Sequence, residues 1–302
     1  MKIALALLLP FAAARIRNQC VQRGMYAMTW DDGPSTNTNE LLAILREKDV
    51  KATFHVTTQY ITDPQIQSMI QRIAAAGHLI GLRAEASWNL MSMTDEQIKA
   101  GLTRQANVLA QFIGYVPKFI RLAYNGFDNR VLAAVEDTGL VVTQQNLETY
   151  DYSNDGQKTY QAVNLALSIV ARGGGAFIAV QHDGVQQSVG VTPKVIDLIK
   201  NAGYSFVKLD ECLGMGDMTK NNEPLKGASD SVDFGNLSQE QQAFVSGTPL
   251  PGGAPSPMAG MDGPDAPAFG NKIKSQFANA ASRSAALGSI SALFVAAVAL
   301  ML

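Results

Sequence analysis

Short apolar runs rich in β-branched and aromatic residues recur along the middle of the chain. They alternate with longer segments whose apolar residues return every three or four positions. The first pattern predicts buried strands and the second amphipathic helices. Strands are expected over 25–30, 51–56, 79–82, 118–121, 140–143, 176–181 and 205–208, and helices over 39–48, 63–76, 95–113, 129–138, 157–172 and 192–201. This alternation describes an α/β domain with a parallel sheet, either open and doubly wound or a barrel of fewer than eight strands. In both, reactive groups belong just beyond the C-terminal strand ends. Three polar clusters fall there: Asp31-Asp32, residues 121–126, and His182-Asp183.

The patterning changes at both ends. Residues 1–14 join Lys2, an apolar run and Ala12-Ala13-Ala14, as a secretory signal does; Pro10 argues against the alternative, a buried strand. Over 217–278 periodicity gives way to Pro, Gly, Ser, Asn and Gln, the composition of a flexible stalk, with one glycosylation sequon at Asn236. Residues 279–302 carry the small triplet Asn279-Ala280-Ala281, a short polar spacer and an uncharged apolar tail. That is the pattern of a glycosylphosphatidylinositol signal with Asn279 as the attachment residue, a tail-anchored helix being the alternative. The expected location is extracellular, on the cell membrane through the lipid anchor or in the cell wall.

Composition narrows this further. Net charge is −2 without basic clusters, which gives no support to a nucleic-acid partner. The two cysteines, Cys20 and Cys212, bracket the α/β domain at 20–214. In an oxidising compartment they are expected to pair, contributing on the order of 5 kcal/mol in the chain-entropy picture. Two buried thiols are the alternative.

Asp31-Asp32-Gly33-Pro34 read alone is more often a tight turn than a catalytic site. Together with the later clusters it resembles the polysaccharide deacetylase family, the NodB homology domain, and in particular fungal chitin deacetylases. Thr29-Trp30-Asp31-Asp32-Gly33-Pro34 matches the family's first motif, and Ala52-Thr53-Phe54, Gly77-His78-Leu79-Ile80-Gly81 and 209–214 match further along. The resemblance implies a NodB-type distorted (β/α) barrel of about seven strands, and the expected state is a monomer. It also implies roles: Asp31 as general base, Asp32 as metal ligand, Arg121 orienting the base, Tyr124 offering a backbone N–H to the oxyanion, Asp151 tuning His182, and His182 as general acid.

The second motif departs from the family. Its two metal-binding histidines are replaced by Arg83 and Ser87. The chain holds only three histidines, of which His78 matches a structural position and His55 lies in an apolar strand where relatives carry Phe. Arg83 either neutralises Asp32 and repels a divalent metal or points into solvent. Trp30, Trp88, Tyr124 and Tyr152 are either flat faces for sugar or ordinary core. The favoured expectation is a pseudoenzyme that binds chitin or a related N-acetylglucosamine glycan with no cofactor. One alternative is an active deacetylase using zinc or cobalt in a site altered by His55 or Glu85. Another is a surface protein with no glycan site.

Overall fold

A computed structural model describes residues 16–85, 88–122 and 127–226. The expected signal peptide, Ser87, Tyr124, Asn236, Asn279, the tail and the stalk beyond Lys226 lie outside the described residues. Eight parallel strands form one sheet: β1 (Met25–Gly33), β2 (Thr53–Val56), β3 (Leu79–Arg83), β4 (Phe119–Arg121), β5 (Val141–Val142), β6 (Leu147–Glu148), β7 (Phe177–His182) and β8 (Ser205–Phe206). Seven follow the order β5-β4-β3-β2-β1-β7-β6, and β8 pairs with the start of β1. The helices are α1 (Thr38–Glu47), α2 (Pro64–Ala75), α3 (Asp95–Ile113), α4 (Asn129–Asp137), α5 (Gly156–Ser168), α6 (Gln186–Asn201) and α7 (Leu209–Cys212).

Strands β5 and β6 lie at opposite ends of the strand order, yet only residues 143–146 join them. Such a link spans at most about 18 Å. The sheet must therefore curl until its edges approach, which is how the expected distorted barrel arises. Strands β2, β3 and β4 are buried throughout, which explains their unbroken apolar runs. Helix ends follow local signals. Thr94 and Gln97 form a capping box on α3, and Gly114, at φ 80°, ends it in the left-handed conformation.

Two elements differ from the pattern in the sequence. Helix α6 starts at Gln186 rather than near Thr192, so that Pro193 lies inside it. Pro193 reads as a first-turn residue, but Ser188 and Val189 are buried ahead of it and extend the helix back by packing. Strand β6 has two residues and leaves no periodic trace.

The ordered domain also exceeds the 20–214 span. Arg17 bridges Thr143, and residues 217–226 turn back onto the barrel instead of beginning the stalk, with Val116 donating its N–H to Asn221 at 2.8 Å and Lys226 to Thr138 at 2.8 Å. Cys20 and Cys212 form the disulfide, their Cα atoms 4.5 Å apart, and so tie the two ends of the domain together.

In α3, Gly101 lies against the buried Trp88 indole: a Cβ there would come within 2.5 Å of the ring. Gly101→Val should lower stability by about 1–3 kcal/mol despite better helix propensity. The check is a lower urea midpoint at unchanged slope.

Candidate functional site

The end of β1 sets the geometry. Its pairing with β2 shifts register between Asp31 and Gly33, and Asp32 takes φ 65°, a left-handed conformation uncommon for a residue with a Cβ. Neighbouring side chains on a regular strand point to opposite faces. Here the irregularity lets both carboxylates reach one arginine: Arg83 Nε lies 2.7 Å from Asp32 Oδ1 and 3.8 Å from Asp31 Oδ2. Gly33 is needed at the turn, because a Cβ there would run into the Asp183 carboxyl.

Asp31 is 2% exposed and surrounded by donors. Arg121, at the end of β4, directs Nη1 to Thr29 Oγ1 at 2.7 Å and to the two Asp31 oxygens at 3.2 and 3.4 Å. His55 Nδ1 meets Asp31 Oδ1 at 2.8 Å. Burial alone would raise the Asp31 pKa, but Arg121, His55 and Arg83 outweigh it and hold the carboxyl well below the usual carboxylate range. Arg83 shows the same balance: burial opposes its charge, while Asp32 and Asp31 raise its pKa.

His182 ends β7 beside β1. Asp151 accepts its backbone N–H at 2.6 Å and faces its Nδ1 at 3.0 Å. Burial disfavours the charged ring, but Asp151 dominates and lifts its pKa to about 10. Its Nε2 lies 3.8 Å from Asp32 Oδ2. Asp31, Asp32, Arg83, Arg121, Asp151 and His182 thus converge at the C-terminal strand ends.

Other residues settle between the readings open in the sequence. Arg83 turns inward, 9% exposed, rather than into solvent. Glu85 receives hydrogen bonds from Thr57 Oγ1 and the Thr58 backbone, and burial raises its pKa to about 7. It is already satisfied as an acceptor. Trp30 and Trp88, 1% and 5% exposed, are core, while Tyr152 is half-buried and meets the ring of Tyr150. His78 accepts the Ala52 N–H on Nδ1 at 3.1 Å, a structural role.

Three residues have contacts in the site that the sequence does not assign. His55 is the hydrogen-bonded core histidine expected, and its partner is Asp31; the signal for that is its position opposite Asp31 across two parallel strands. Thr143 Oγ1, 3.2 Å from His55 Nε2, reaches across the curled sheet and leaves no local signal. Glu148 is half-buried beside Asp151, and desolvation with that second acid raises its pKa to about 7.

The donor set does not fit the divalent metal that the family resemblance implies. Asp32 is paired with Arg83, Asp31 with Arg121 and His55, and His182 with Asp151. Among the described residues no three His, Cys, Asp or Glu side chains gather as a metal site. A guanidinium this close also repels a divalent cation.

The family model for polysaccharide deacetylase matches residues 18–143. A chitin deacetylase of Colletotrichum lindemuthianum is 33% identical over 204 residues, covering 65% of this chain and 82% of that protein. The solved chitin deacetylase of the same fungus aligns with a TM-score of 0.63 at 29% identity, over 73% of this chain and 99% of the other. A CE4 family pseudoenzyme from Bacillus anthracis shares the fold, with a TM-score of 0.59 at 15% identity, over 70% of this chain and 72% of the other. On the strength of the first relative, with its extent of match, the chain belongs to the polysaccharide deacetylase family.

Proposed function

We propose that this chain is a secreted, lipid-anchored cell-wall protein that binds N-acetylglucosamine-containing glycan, chitin or a relative, with metal-dependent deacetylation lost or strongly reduced. The observation that carries this reading is the 2.7 Å contact of Arg83 Nε with Asp32 Oδ1. It places a permanent cation on the carboxylate that would otherwise serve a metal. The likeness to chitin deacetylases supplies the glycan class.

The remaining groups suit binding better than hydrolysis. Amide hydrolysis needs a base able to take a proton from water, and Asp31 is held so strongly as an anion that it is a weak one. His182 keeps its proton at neutral pH and can donate it in a hydrogen bond to a glycan oxygen. The alternative of a metal site rebuilt from His55 or Glu85 is disfavoured, since both are buried and engaged elsewhere.

Three measurements test this reading on the purified protein: elemental analysis, acetate release from N-acetylglucosamine oligomers with added zinc or cobalt, and calorimetric titration with chitin oligomers. Substoichiometric metal, no acetate release and calorimetric binding of chitin oligomers are expected. Stoichiometric zinc with acetate release would overturn the reading, and absence of oligomer binding would leave a surface protein without a glycan site. Arg83→His with Ser87→His should raise zinc binding if the motif alignment is right.

The charge on His182 gives a separate prediction. Its folded pKa is raised from 6.5 to about 10, so its stabilising contribution is fully present below about pH 6.5 and is lost as pH rises through 10. An NMR titration should show the imidazole cationic through neutral pH. Asp151→Asn should bring its midpoint down by at least one unit, and an unchanged midpoint would remove Asp151 as the cause.

A further inference from the structure

His55 has a specific partner on each side of its ring. It lies opposite Asp31 in the β1–β2 pairing and opposite Gly81 in the β2–β3 pairing, and it is fully buried. Gly81 makes room for the ring: a Cβ there would stand 3.0 Å from His55 Cδ2. Nδ1 faces Asp31 Oδ1 at 2.8 Å and Nε2 faces Thr143 Oγ1 at 3.2 Å. Burial and Arg121 lower the His55 pKa to about 4, so the ring is neutral at neutral pH and carries one proton.

That single proton has a defined place. An ionised Asp31 only accepts hydrogen bonds, so the proton sits on Nδ1 and Nε2 is an acceptor. Nε2 faces the Thr143 hydroxyl, which shares its one hydrogen between Nε2 and Ile120 O, both 3.2 Å from Oγ1. Asp31 fixes the tautomer, and Thr143 supports it from the other side of the ring.

We propose that His55 is a positioning residue that locks the Asp31 carboxylate through an Nδ1–H tautomer supported by Thr143. The lock and Arg121 Nη1 occupy Oδ1, whereas among the described residues Oδ2 has the longer Arg121 contact at 3.4 Å and Arg83 Nε at 3.8 Å. Oδ2 is therefore the Asp31 oxygen left with acceptor capacity for a hydroxyl or acetamido N–H of a bound glycan. This last step rests on the proposed glycan function; the lock itself does not.

Nitrogen-15 NMR of the intact protein at neutral pH tests the lock without a ligand. The expected result is an Nδ1–H proton downfield of the amides, with Nε2 unprotonated, lost in His55→Phe and weakened in Thr143→Val. An Nε2–H tautomer, a doubly protonated ring, or a signal indifferent to Thr143→Val would overturn it. For positioning, His55→Phe should weaken chitin-oligomer binding about tenfold, the scale of one hydrogen bond to a charged group. His55→Asn, which keeps a donor near the Nδ1 position, should recover part of that loss. Equal binding by the wild type and His55→Phe would overturn the positioning role. Failure of the wild type to bind any oligomer, with the Nδ1–H signal present, would sink the glycan reading and leave the lock standing.

Discussion

A carboxylate with almost no exposure keeps its charge only if cations and hydrogen-bond donors replace the water it has lost, and Asp31 places that demand on three neighbouring strands. Arg121 comes from β4, Arg83 from β3 and His55 from β2, while Asp31 itself ends β1. The effective cost of burying one such ion unpaired is several kcal/mol. A one-residue slip of any of these strands would send its side chain to the other face and leave the charge uncompensated. The carboxylate thus helps fix the register of the sheet that presents it.

The same accounting extends over the site. Arg83 stands with Asp32, Arg121 with Asp31, and His182 with Asp151. At Glu85, Glu148 and Asp183 burial outweighs the neighbouring hydrogen bonds and, for the last two, the His182 charge, and raises their pKa values to about 7, 7 and 6. A site meant for a divalent ion would hold an excess of ligand charge that binding relieves. Here the chain supplies its own counterions.

Much of the fold was legible because buried parallel strands read as apolar runs and their crossover helices as amphipathic segments. Those signals are local. The start of helix α6 was not legible because Pro193 is a strong local mark for a first turn, while burial of Ser188 and Val189 is a tertiary effect. Most of the site was legible in the polar clusters at strand ends, since Asp31, Asp32, Arg121 and His182 all lie at the ends of β1, β4 and β7. The direction of Arg83 was not legible, since it depends on the kink at Asp32 on a different strand. The role of His55 was hidden for a similar reason: its partners lie 24 and 88 positions away.

Metal affinity and base strength are separable in this site. Affinity depends on freeing Asp32 and supplying imidazoles, which a change at Arg83 and Ser87 addresses. Base strength depends on the proton affinity of Asp31, which Arg121 and His55 still suppress after Arg83 is gone. Each unit of pKa is worth about 1.4 kcal/mol of differential interaction. Regaining the metal therefore leaves the base still tied to His55 and Arg121, and recovery of turnover would require loosening the hydrogen bond from His55 as well.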